Sequence, residues 1–211
     1  MELFTYWRSS TAYRVRIGLH LKGLAYTPHA VNLLKGEQRD AAYVQKNPLA
    51  AVPTLVDGGH TLIQSLAILE YLDETHPTPP LLPADPLGRA RVRALAQTIA
   101  CDMHALNNLK VTQYLAATFG ISDPQKTDWM HHWMHAGLRA FEAQLNHPHT
   151  GLFCHGDTPT LADLCLVPQV YNARRFNVDL AAYPRLTAVA DRAAALPAFA
   201  AAHPDTQPDR A

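Results

Sequence analysis

Between His76 and Pro86, five of eleven residues are proline. Proline fixes φ and lacks the backbone N–H, so neither a helix nor a central strand can run through such a stretch. The 211-residue chain is thereby cut in two, with one domain expected over 1–82 and a second over 88–211. A length near two hundred residues accommodates that division.

The two sides of the cut have different periodicities. Before it, Glu2–Trp7 is short and aromatic, as an opening strand would be. Thr11–Lys22 reads as a helix, with Val15 and Leu19, and Ile17 and Leu21, each about one helical turn apart, and Gly23 supplies a stop. Tyr26–Leu33 reads as a second strand. Thr54–Asp57 and Thr61–Ile63 read as a hairpin joined by Gly58-Gly59-His60, slightly loose for a two-residue turn. Ser65 then opens a helix carrying Ile68, Leu69 and Leu72. Beyond the prolines the strand signals fade. Gly88–Thr118 reads as one long helix, Ser122–Leu145 as another and Thr160–Ala173 as a third. Leu180–His203 is alanine-rich and helical, broken at Pro184 and Pro197. The expected fold class is a small α/β domain followed by an all-α domain. Thr160-Leu161-Ala162-Asp163 has the spacing of a capping box, a structural motif worth about 1 kcal/mol.

Composition removes several functions. Eighteen basic and eighteen acidic residues balance, with no block of like charge, so a nucleic-acid partner is not expected. No stretch reaches the roughly 18 apolar residues of a membrane span, and Met1–Trp7 does not read as a signal peptide. Cys101, Cys154 and Cys165 are odd in number and widely spaced, which suits reduced thiols and a cytoplasmic setting.

Three short segments of the first part can carry chemistry. Arg8-Ser9-Ser10-Thr11 lies at a strand-to-helix turn, where free N–H groups, a partial positive charge and three hydroxyls suit an anion or a thiolate. The same residues also read as an ordinary Ser/Thr helix cap. Ala51-Val52-Pro53-Thr54 could turn the Val52 backbone toward a ligand. Gln64-Ser65 lies at a second helix start. In the second part, His104, Asn107, Asn108 and Val111 would share one helix face, lining a cleft or facing solvent. Arg174 and Arg175 close a helix, where they also complement its dipole. His131, His132 and His135 cluster, but no Cys stands close by and no Glu follows the first His as in a metalloprotease, and no metal is expected.

The run Trp7-Arg8-Ser9-Ser10-Thr11-Ala12-Tyr13-Arg14-Val15-Arg16-Ile17 closely resembles the signature of zeta-class glutathione transferases. Asn47-Pro48, Val52-Pro53-Thr54-Leu55, Gln64-Ser65-Leu66-Ala67-Ile68 and Glu70-Tyr71-Leu72 follow in that family's order, as do Leu81-Leu82-Pro83 and Asp85-Pro86. Ala162-Asp163-Leu164-Cys165-Leu166-Val167-Pro168-Gln169-Val170 and Asn172-Ala173-Arg174-Arg175-Phe176 extend the likeness over nearly the whole chain. Zeta members commonly show Ser-Ser-Cys where this chain has Ser9-Ser10-Thr11. The absence of any cysteine before position 101 argues against a thiol-transfer role.

The resemblance implies a thioredoxin-like glutathione-binding domain, a helical substrate-side domain and a homodimer. It implies cis–trans isomerisation of a maleyl dicarboxylic acid, maleylacetoacetate or maleylpyruvate, with glutathione regenerated in each cycle. Conjugation or dehalogenation by the same glutathione site, and a non-enzymatic binding protein, are the alternatives. Ser9, Ser10 and Thr11 would stabilise the thiolate, the Val52 backbone would hold the cysteinyl unit, and Gln64 and Ser65 the γ-glutamyl end. His104, Asn107 and Asn108 would line the glutathione cleft. Arg8 and Arg175 would take the substrate carboxylates, since a guanidinium matches a carboxylate in two places.

Overall fold

The computed structural model describes residues 1–210 and divides into two compact units. The first comprises Met1–Leu81 together with the segment from Ala194 onward, and the second comprises Leu82–Ala193. The sequence reading placed that last segment with the helical domain.

In the first unit, β1 (Glu2–Thr5) runs parallel to β2 (Thr27–Ala30) and antiparallel to β3 (Thr54–Asp57), which pairs with β4 (His60–Ile63). The sheet order is β2-β1-β3-β4. β2 is shorter than expected and lies at the edge, the position that tolerates Pro28, which has no N–H to give. Asp57 pairs with His60, so the hairpin turn is the two residues Gly58 and Gly59, tighter than the sequence suggested. Both have positive φ, 54° and 84°, as a turn matched to strand twist requires.

Helices α1 (Ser10–Leu21) and α3 (Ser65–Thr75) pack together in this unit, and the short α2 (Ala41–Val44) lies between them in sequence. Ala12, Val15, Ile17 and Leu19 of α1 and Ile68, Leu69 and Leu72 of α3 are all fully buried. The C-terminal segment adds α9 (Pro197–Ala201) against α1. Phe199 is fully buried there, and the Arg16 guanidinium donates to Ala202 O (3.1 Å) and Trp7 O (2.9 Å). The Trp7 N–H donates to Asp209 Oδ2 at 2.8 Å. This packing returns the end of the chain to the first unit. Pro197 breaks the alanine-rich helix, and Phe199 then finds its apolar partners on α1.

The second unit is helical: α4 (Pro86–Ile99), α5 (Leu109–Phe119), α6 (Asp123–Gln144), α7 (Leu161–Arg175) and α8 (Pro184–Ala194). The long helix expected over 88–118 is in fact three pieces. After α4 the backbone widens into a π-type turn over Ala100–His104, and α5 begins afresh at Leu109 with Asn108 as its N-cap. Asn107-Asn108 explains the break, because a short amide side chain competes for nearby backbone N–H groups; Asn108 Oδ1 accepts from Lys110 N–H at 3.1 Å. Where the π-type turn meets α6, a Cβ on Gly137 would overlap the Met103 side chain. A larger residue at 137 would force the Met103 side chain to shift.

The capping motif of α7 is present. The buried Asp163 carboxylate accepts from the Thr160 N–H (2.8 Å), the Thr160 hydroxyl (2.9 Å) and the Cys154 N–H (2.8 Å). Two of the clustered histidines serve as ties. His131 Nε2 bonds Phe176 O at 2.7 Å and His135 Nδ1 bonds the Tyr183 hydroxyl at 2.8 Å. No helix among the described residues is long and apolar enough to cross a membrane.

Candidate active site

The turn between β1 and α1 brings Ser9 and Thr11 together, and Thr11 joins them to the loop before β3. Ser9 is the N-cap of α1, and its Oγ accepts the Ala12 N–H at 3.2 Å. Its hydroxyl also lies 2.9 Å from Thr11 Oγ1, which donates to Val52 O at 2.9 Å. A carbonyl oxygen can only accept, so the Thr11 proton is spoken for. It follows that Ser9 donates to Thr11, and the donor order runs Ser9 to Thr11 to Val52. Ser10, nearly buried at the first helical position, stands outside this chain of hydroxyls. The N–H groups of Ser10 and Thr11 have no intrahelical partner, by the geometry of any helix start.

Val52 precedes Pro53 in a cis peptide bond. Its side chain is buried with Tyr6, Val31 and Tyr43. The adjacent Ala51 O is held by the Tyr43 hydroxyl (2.6 Å) and by Asn47 Nδ2 (2.8 Å), and both of those side chains also bond Thr54 Oγ1. The loop is thus tied down on both sides of Val52. Tyr43 and Asn47 were not singled out as chemical residues, although Asn47-Pro48 was part of the family pattern.

The third segment starts α3. Gln64 takes φ 70°, a conformation that costs a non-glycine residue about 1–3 kcal/mol and collects at functional sites. Ser65, the first residue of α3, is 5% exposed, and its Oγ lies 3.3 Å from Nη1 of Arg14. Arg14 lies within α1 and is 1% exposed. Sequence reasoning passed over it. The available signal was a charged side chain on a helix turn otherwise flanked by core residues.

Arg8 stacks on the neighbouring Trp7 ring, 5.1 Å from its centroid. In the second unit, Arg175 ends α7, stacks 4.3 Å over the Phe176 ring and donates to Asn172 Oδ1 at 3.0 Å. Its neighbour Arg174 pairs with Asp191 at 2.8 Å. His104 lies at the end of the π-type turn, with Nε2 3.4 Å from Asn108 Nδ2. The shared helix face expected for His104, Asn107 and Asn108 does not exist, because the helix ends between them. Asn107 turns to α6 and donates to Met130 O at 3.3 Å. The hollow of about 560 Å³ beside Arg185 and Arg192 and that of about 510 Å³ beside His20 and Tyr26 contain none of these residues.

Residues 1–74 match the family model "Glutathione S-transferase, N-terminal domain", and residues 134–192 match "Glutathione S-transferase, C-terminal domain". The chain is 50% identical over 209 residues to a probable maleylacetoacetate isomerase of Vibrio cholerae, covering 98% of this chain and 97% of that one. A solved structure described as a holo maleyl pyruvate isomerase, a bacterial zeta-class glutathione S-transferase, superposes with a TM-score of 0.98. It is 49% identical over 100% of both chains. The chain belongs to the zeta class of the glutathione S-transferase family. A second solved relative, the maleylacetoacetate isomerase of Methylobacterium extorquens AM1 with bound malonate and GSH, has a TM-score of 0.96. It is 41% identical, over 99% of this chain and 98% of that one. Within this glutathione S-transferase, the first unit holds the Ser9–Thr11–Val52 chain and the Arg14–Ser65 pair on the same helix, α1.

Proposed function

We infer that the protein is a glutathione-dependent cis–trans isomerase of a maleyl dicarboxylic acid. The observation that carries this reading is the hydroxyl-lined first turn of α1 tied to Val52, in a chain that shares half its residues with a probable maleylacetoacetate isomerase. When bound, glutathione supplies a thiolate that adds reversibly to the conjugated double bond of the substrate. The residues fit such a peptide. Two helix starts present unpaired N–H groups, and the tied-down loop between them presents its backbone.

Ser10 is the hydroxyl left to hold the thiolate, with the first-turn N–H groups; Ser9, whose proton goes to Thr11, supports the turn. Thr11 acts indirectly, by fixing Val52, which takes the cysteinyl unit. Gln64 and Ser65 take the γ-glutamyl end. Arg8 and Arg175 take the substrate carboxylates, with His104 and Asn108 as further polar groups. We assign glutathione to the first unit. The working form is a homodimer, a reading supported by the family resemblance. A cytoplasmic setting fits three cysteines that are all free thiols.

The test is an absorbance assay on maleylacetoacetate and maleylpyruvate with substoichiometric glutathione. Product should form from at least one of them while free thiol stays constant. Loss of one thiol per substrate would overturn the isomerase reading in favour of conjugation.

A further inference from the structure

We propose that Arg14 is a positioning residue that fixes the Ser65 hydroxyl proton toward the α-carboxylate of glutathione's γ-glutamyl residue. The inference rests on the reading that Ser65 receives that end of the peptide.

Arg14 is 1% exposed within α1 and places Nη1 3.3 Å from Ser65 Oγ. A guanidinium has five N–H donors and no acceptor. Toward Arg14 the Ser65 hydroxyl can therefore only accept, and its own O–H must point elsewhere. A free serine at a helix start has other choices, since its rotor can turn to any nearby acceptor. Arg14 removes that freedom from one side by occupying a lone pair with a donor-only group. The Ser65 proton is left to join the unpaired N–H groups at the start of α3. All of these are donors, and a carboxylate is acceptor-only, so the set is matched to it.

The alternative is that Arg14 only packs. A buried guanidinium is costly to desolvate and is held only where polar partners receive it. Both roles predict damage on removal, so stability alone does not separate them. Ligand chemistry does. The positioning role acts on one carboxylate of the peptide, whereas packing acts on the whole site.

The experiment measures the affinity of the full chain for glutathione and for 4-aminobutyryl-cysteinylglycine, which lacks that single carboxylate. The wild type should prefer glutathione by about ten- to a hundredfold, the worth of charge-assisted hydrogen bonds. Ser65→Ala should reduce that preference strongly. Arg14→Met should reduce it severalfold while changing analogue affinity little. Arg14→Gln should do the same, because its amide oxygen offers the Ser65 proton an inward acceptor. Arg14→Lys, again donor-only, should restore the preference. The ratio of the two affinities is measured on one folded protein, so partial loss of stability does not confound it. If Arg14→Met fails to fold, the Gln and Lys variants decide the question.

A wild-type preference in Arg14→Gln and Arg14→Met would overturn the proposal, as would equal weakening of both peptides. A preference unchanged in Ser65→Ala is a different failure: it would remove Ser65 from the γ-glutamyl site itself.

Discussion

Thr11 donates its hydroxyl proton to the carbonyl oxygen of Val52 across 2.9 Å, linking the first turn of α1 to the loop before β3. The zeta class commonly has a cysteine at this position, and a thiol is a weaker donor. The threonine thus gives this chain a firmer tie between two parts of the proposed glutathione site.

Thr11→Val deletes the tie and leaves Val52 O without its donor. A lost hydrogen bond of this kind costs about 0.5–1.5 kcal/mol, so the KM for glutathione should rise about three- to tenfold. Thr11→Ser should keep it near wild type. The pH dependence of kcat should not move, because the Thr11 proton is not directed at the thiolate. A shifted pH profile in Thr11→Val would restore Thr11 as a direct thiolate donor.

Gln64→Gly and Gln64→Ala both delete the side chain, but only glycine accepts φ 70° freely. The glycine variant should therefore be more stable than the alanine variant by about 1 kcal/mol. Both should bind glutathione more weakly than wild type. Urea midpoints and glutathione titrations of the two variants measure this. Equal midpoints would mean that the backbone there carries no strain.

Arg175→Met should lose about ten- to a hundredfold in kcat/KM, the worth of one charge-assisted contact to a substrate carboxylate. Arg175→Lys should keep the charge but not the fork, and so lose less. Glutathione affinity should stay constant in both. An Arg175→Met protein that melts early but retains wild-type kcat/KM would make this residue a structural one, held by Asn172 and Phe176.

Acid should weaken the fold through its histidines. His20, His155 and His203 are held below their ordinary value of 6.5, first by loss of hydration; Arg16 adds to this at His20 and Arg91 at His155, while at His203 Asp205 opposes it and Arg16 and Arg210 assist it. A histidine with a lowered folded pKa binds fewer protons folded than unfolded below pH 6.5, so stability falls as pH drops through that window. His203 adds a geometric cause, since its Nδ1 accepts the Asp205 N–H at 3.1 Å and can do so only when unprotonated. His203→Asn should keep an acceptor and flatten part of the slope in a series of melting curves from pH 7.5 to about 5. An unaltered slope would place the acid sensitivity elsewhere.

Gly137→Ala should cost about 1–3 kcal/mol by overpacking against Met103. Combined with Met103→Ala, the cost should be less than the sum of the two single changes. Simple additivity would show that the helices part easily at this point.

Local chemistry was legible in the sequence wherever it decided the structure alone. The proline run marks the break, Gly58-Gly59 makes the hairpin, and Thr160 with Asp163 caps α7. The helix over 88–118 was misread because its apolar spacing persists through Asn107-Asn108, where side-chain hydrogen bonding overrides periodicity. The loss of the shared face of His104, Asn107 and Asn108 follows from that error. Residues paired across long separations were invisible: Arg14 with Ser65 is 51 positions apart and Trp7 with Asp209 is 202. The motif containing Arg14 was readable, but its direction into the protein was not.

The closure of Trp7 onto Asp209 has a consequence for the order in which the protein can be made. The first unit is discontinuous, and α9 with the residues after it is translated only after all of Leu82–Ala193. Domains tend to fold as they leave the ribosome, N-terminal first. Here the contacts of Phe199 with α1 and of Asp209 with Trp7 can form only after the whole helical unit has been synthesised, and until then that α1 surface is uncovered. The strand-to-helix turn that carries Ser9, Ser10 and Thr11 therefore receives its neighbour Asp209 late, although the turn itself is among the first parts to be translated.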